Sequence, residues 1–349
     1  MTAPTLQAGH ARLHELASEL AFTEAAYERA FELAGFRPDA NSWRNGLSRF
    51  LMALGTALIV AGITAFFAWN WADLGHFQKF GLIQAGIVAA VIATWRFGID
   101  SLPGGASLFA AAFLVGVLFA VYGQVYQTGA DPYGLFLAWG LLILPWAVVG
   151  RQQGLWLLVV VLWNLALVMY WTQVLDPPEG IWLVLQLLGP LFWLGALVTD
   201  SQLSAAVFAL NALALVGWET GAARGVPWMQ GSGFPRIIAF LTLGTVLPPT
   251  LLVIFAAVFE EKLGLSLLSP LLLAAAAAAC TWYYQYRKRD LFILTCCALA
   301  TILVIMSFAI RAMLNTGGSL LFLALLLIAQ VAAAAYWLRG VAGRWERTP

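Results

Sequence analysis

The side chains best suited to recognising a ligand lie in one short stretch, YGQVYQTGAD, from Tyr122 to Asp131. Gln124 and Gln127 stand three residues apart, so a helix places them on one face, and Tyr126 and Thr128 add hydroxyls nearby. This grouping suits a small polar pocket for a neutral or amphipathic molecule. The competing reading is an aromatic and amide cap at the edge of a bilayer. A second polar pair, Asn70 and Trp71, ends the first long apolar run.

Other chemistry has no visible carrier. His10 and His14 share a helix face, but no third ligand follows at useful spacing, so no metal site is expected. Cys280, Cys296 and Cys297 all sit in apolar runs, and the last two are adjacent, which offers neither a CxxC site nor a disulfide framework. The sequence holds no P-loop, no GxSxG and no HExxH. No catalytic residue and no cofactor are expected, and the reading is of a non-enzyme.

The elements that must position these groups follow from composition. Of 349 residues, 62% are hydrophobic and 10% charged, against about 25% charged in a soluble domain. The charges gather in short clusters between apolar runs of about the 20 residues that a helix needs to cross a bilayer. A net charge of +1 and a short basic run, Arg287 to Arg289, exclude a nucleic acid partner.

Residues 1–45 are polar. Leu6, Leu13, Leu16 and Leu20 suggest one amphipathic helix, and Thr23 caps a second that runs to about Gly35. Apolar runs then lie at 47–69, 77–96, 106–127, 132–149, 155–174, 181–198, 203–218, 236–258, 265–286, 291–310 and 319–338. If every run crosses and the amino terminus is cytoplasmic, the 287–289 cluster and the basic tail fall outside, against the positive-inside rule.

Placing 203–218, interrupted by Asn211, at the interface or as a re-entrant segment leaves ten spans and both termini inside. Arg44, Arg49, Arg96, Arg151, Arg224, Arg236, Arg287, Lys288, Arg289, Arg339, Arg344 and Arg347 then share the inner side, with Lys79, Lys262 and Arg311 outside. Alternatively 203–218 crosses and another run does not, such as 236–258, which Pro248 and Pro249 interrupt.

Asp131 followed by Pro132 reads as a helix start, and Gly150 before Arg151 as a helix end. Ala53, Ala57, Ala61 and Ala65 form a small-residue stripe for helix packing. No ionisable residue falls in the interior of any run, which disfavours proton-coupled transport. The neutral amides, among them Asn164 and Gln330, are expected to hydrogen-bond across helices.

Two stretches, FFAWNWADLGHFQKF (Phe66 to Phe80) and YGQVYQTGADPYGLFLAW (Tyr122 to Trp139), resemble the bacterial membrane-protein family called domain of unknown function 2157. The resemblance covers roughly residues 10–165 and names a family without assigning it an activity. Its pattern highlights Asn70, Trp71, Lys79, Gly123, Gln124, Tyr126, Gln127 and Gly129. Both motifs end on the same expected outer side, where Asn70 and Gln124 are placed to hydrogen-bond.

The sequence thus reads as an all-α, polytopic transmembrane helix bundle of about ten spans (ten or eleven) in a bacterial inner membrane. Its parts are an amino-terminal cytoplasmic helical region (1–45), a first transmembrane module (46–175), and a second module with a short basic tail (176–349). The expected partners are the lipid bilayer and a protein docked on residues 1–45. The leading function is interaction with protein or lipid. The alternative is a transporter or flippase for a neutral or amphipathic small molecule, and a membrane-embedded enzyme ranks third.

Overall fold

A computed structural model describes residues 23–33, 40–69, 74–126, 131–175, 201–256, 267–316 and 320–347. Among them are eleven α-helices and no strand: α1 (Glu24–Leu33), α2 (Ala40–Trp69), α3 (His76–Phe97), α4 (Leu102–Tyr126), α5 (Pro132–Gly150), α6 (Gln153–Tyr170), α7 (Ser201–Ala223), α8 (Gly233–Ala256), α9 (Leu268–Tyr286), α10 (Leu291–Thr316) and α11 (Leu320–Arg347). A π-helical turn, Trp171–Leu175, prolongs α6. An apolar helix satisfies all its interior backbone groups within itself, which is what hydrocarbon demands.

Eight of these helices are long and apolar enough to cross a membrane. Two further expected runs are also helical, within α2 of 30 residues and α9 of 19 residues. The multi-span, all-helical reading therefore holds. The run 181–198 and the helix expected around Leu6 to Leu20 lie outside the described residues.

The chain divides into two compact units, Met1–Leu74 with Trp337–Pro349, and Gly75–Tyr336. In the first, α1 begins where Thr23 was expected to cap it: its Oγ1 accepts from the Ala26 N–H at 3.3 Å and its carbonyl from the Tyr27 N–H at 2.9 Å.

In the second unit, from α3 to α10, each helix packs against the next. α4, α5 and α6 share a core of Leu108, Ala112, Trp139, Ile143, Ala147, Leu155, Val159 and Leu162. Glycines set its spacing: a Cβ on Gly116 would stand 2.4 Å from the Trp139 ring, and one on Gly140 2.5 Å from Trp163 Nε1. Trp139 donates its indole N–H to the Ala112 carbonyl at 2.8 Å. Small residues thus let backbones approach without a hydrophobic driving force. α5 starts at Pro132 as expected, with Asp131 before it making no side-chain cap, and it ends at Gly150 with Arg151 in the left-handed region at φ 50°. Gly150 is there for space, because a Cβ would meet Leu108 Cδ2 at 2.7 Å.

The run 203–218 is helical throughout. It is the middle of α7, a continuous helix of 23 residues that is long enough to cross. Asn211 does not interrupt it, because its amide exchanges two 3.1 Å hydrogen bonds with Asn164 of α6 and donates to the Val207 carbonyl at 3.0 Å. Val168 of α6 packs against Leu203 and Val207, while Trp156 and Trp218 both contact Trp228, so α6 and α7 run antiparallel. Leu175 and Ser201 consequently lie at the same end of the unit. The alternative interruption does not occur either, since α8 passes through Pro248 and Pro249 without a break. Nearby Thr250 donates its hydroxyl to the Val246 carbonyl at 2.6 Å.

Candidate functional site

The second unit has two chemically different ends. One end collects the last turns of α3, α5, α7 and α9 and the first turns of α4, α6, α8 and α10. Gln153 Oε1 of α6 accepts from the Phe234 N–H of α8 at 3.1 Å, and a Cβ on Gly105 of α4 would stand 2.8 Å from Gln152 Nε2. Arg96, Arg151, Arg224, Arg236, Arg287, Lys288 and Arg289 all fall at this end. Lys79, at the start of α3, and Arg311, near the end of α10, fall at the other. The grouping of these basic residues matches the sequence map, although α7 was omitted from that map.

At the opposite end lie the residues singled out from sequence. Tyr122 and Tyr126 of α4 lie tilted to one another with centroids 4.7 Å apart, and Phe80 of α3 stacks on Tyr126 at 6.0 Å and stands 6.4 Å from Tyr122. The two motif stretches therefore meet through Phe80. Gln124 and Tyr126 are exposed, while Lys79 is buried. Asn70, Trp71 and Gln127 lie outside the described residues, as do Thr128 and Gly129. What the structure assembles here is an open aromatic platform beside an exposed amide.

The basic end carries side chains that sequence reasoning passed over. α7 overruns its apolar run by five residues and brings Glu219 into its penultimate turn, where the side chain is buried. α10 similarly overruns and includes Arg311. The expectation of runs free of ionisable groups holds for the runs but not for the helices. Glu219 accepts hydrogen bonds from Tyr284 Oη at 2.8 Å, from Tyr283 Oη at 3.2 Å and from Lys288 Nζ at 2.8 Å on each oxygen. A carboxylate near a helix C-terminus faces the negative end of the helix dipole. Lys288 and the two phenols offset that repulsion and the desolvation of burial.

A second pair lies close by. Asp290 accepts from Arg236 Nε at 3.2 and 2.9 Å and from the Phe292 N–H at 2.9 Å, so the same carboxylate caps α10 and ties it to α8. The turn that delivers it needs Arg289 at φ 57°. Beneath both pairs, Trp218 stacks on Phe234 at 4.1 Å and meets Trp228 edge-on at 5.3 Å, with Trp156 stacked on Trp228 at 6.1 Å. The indole N–H groups of Trp156 and Trp218 are buried without a hydrogen-bond partner among the described residues.

The available signal for this cluster was that Glu219 and Asp290 are acids placed among the basic residues of one side. These charges join helices to one another and leave no nucleophile–base pair among them. Among the described residues no group of His, Cys, Asp and Glu is placed to hold a metal ion.

Residues 14–156 match the sequence model of a family described as a predicted membrane protein, DUF2157, which extends over most of the stretch where the resemblance was read. No curated protein and no solved structure matches the chain.

Proposed function

We propose that this multi-pass membrane protein of the bacterial inner membrane works by holding a partner rather than by turning over a substrate. Its amino-terminal helices and basic end face the cytoplasm in this reading. The observation that supports it is the use made of polar groups in the second unit. Asn164 pairs with Asn211, Glu219 with Lys288, and Arg236 with Asp290, each joining two helices. Side chains with the means for chemistry are engaged in holding a framework. α1, exposed over most of its described residues, supplies a docking element on residues 1–45.

Cross-linking in membranes, comparing the full chain with one lacking residues 1–40, tests the docking role. One partner captured by the full chain and lost from the shortened one is expected. Equal capture by both would sink it. Sidedness is tested by labelling single cysteines at 225–230 in a background without Cys280, Cys296 and Cys297, and label entering only from the cytoplasm is expected.

A second reading, passage of a neutral or amphipathic molecule, rests on the exposed Gln124, Tyr122 and Tyr126 at the opposite end. Substrate-dependent flux in proteoliposomes, lost in Tyr126→Ala, would favour it over the docking role.

A further inference from the structure

A groove of 510 Å³ lies between α9 and α10. Its α9 wall is Ala274, Ala277, Ala278 and Thr281, residues at helical spacing on one face, followed by Trp282, Gln285 and Tyr286 toward the basic end; Thr301 comes from α10. Alanines keep this wall low, so a chain of methylenes can lie against it. From Ala274 to Tyr286 the rise is about 18 Å, close to the depth of one leaflet, half of a hydrocarbon core of about 30 Å. A crossing helix would need the full width. The span of its lining residues is nearer to one leaflet than to the full bilayer.

The same groove ends at the basic end of the unit. Trp282 and Tyr286 are 58% and 66% exposed at its mouth, as aromatic side chains at headgroup depth are. Arg287 follows directly and is exposed. Lys288 is held by Glu219 and Arg236 by Asp290, so their charge is already matched. The fixed positive charge beside the groove mouth complements a phosphate.

We propose that this groove binds an anionic phospholipid of the leaflet at the basic end, with one acyl chain along Ala274 to Tyr286 and its phosphate on Arg287. Basic pockets between membrane helices are a recognised way of holding such headgroups. The inference is independent of the docking role, since it concerns only the second unit.

Native mass spectrometry of the purified full chain, offered phosphatidylglycerol or phosphatidylcholine, provides the test. Preferential retention of phosphatidylglycerol is expected. Arg287→Gln, an exposed change that leaves the helices intact, should reduce that preference about fivefold, while Arg96→Gln at the same end should leave it unchanged. Ala277→Phe, which fills the groove, should reduce retention of both lipids. Equal retention of the two lipids by the unaltered chain would overturn the proposal. So would equal losses in Arg287→Gln and Arg96→Gln, which would mean diffuse attraction to the whole basic end.

Discussion

At the basic end of the second unit, α7, α8, α9 and α10 are joined by two ion pairs, two tyrosine hydroxyls and the Trp218–Phe234 stack. Among the described residues the opposite end shows a Ser204–Ser269 hydroxyl contact at 3.4 Å, the Arg311 guanidinium donating to the Ile254 carbonyl at 2.8 Å, and the platform of Phe80, Tyr122 and Tyr126. At the basic end two acids, Glu219 and Asp290, are paired with Lys288 and Arg236. Once helices pack, those pairs tie together distant parts of the sequence. Among the described residues, the other end exposes Tyr122 and Tyr126.

The contrast is most directly broken at Glu219. Glu219→Gln leaves the Lys288 ammonium partly buried without its counter-charge, and a loss of about 3 kcal/mol is expected. Thermal unfolding in detergent reads this, and replacing both residues by leucine should recover most of it. An unchanged midpoint in Glu219→Gln would show that the pair does not tie the helices.

Gly116→Val comes next, because the added Cβ meets the Trp139 ring at 2.4 Å. Overpacking of about 2 kcal/mol should lower the same midpoint. If it does not, α4 and α5 are free to separate and the glycine spacing has no energetic consequence.

Between the two ends lies the Asn164–Asn211 pair. A double-mutant cycle with leucine at each position should give a coupling near 1 kcal/mol, and strictly additive effects would count against a direct bond. The smallest effect belongs to the opposite end. Gln124→Ala should move stability by less than about 0.5 kcal/mol, as expected of an exposed amide with a role in contact. A larger fall would show that this end also supports the fold.

Much of the fold was legible because its signals are local. Runs of suitable length gave the helices, Thr23 gave the start of α1, and Pro132 the start of α5. Asn211 looked like an interruption of 203–218 because an amide in hydrocarbon does so until its partner is known. Of the residues singled out for recognition, Tyr126 was placed with Phe80, a contact between two motif stretches that sequence reasoning had joined through Asn70 instead.

What the sequence determined by itself was the solvent, a multi-span helical chain, and which basic residues of the second unit share an end. A bilayer imposes its constraints along one dimension: a run is long enough or it is not, and a charge precedes or follows it. Only the tertiary structure decided that Asn211 finds Asn164 across 47 residues, that Glu219 finds Lys288 across 69, and that α7 is therefore one unbroken helix. A buried polar group costs free energy or contributes it according to whether a partner arrives, and that depends on which helices pack together.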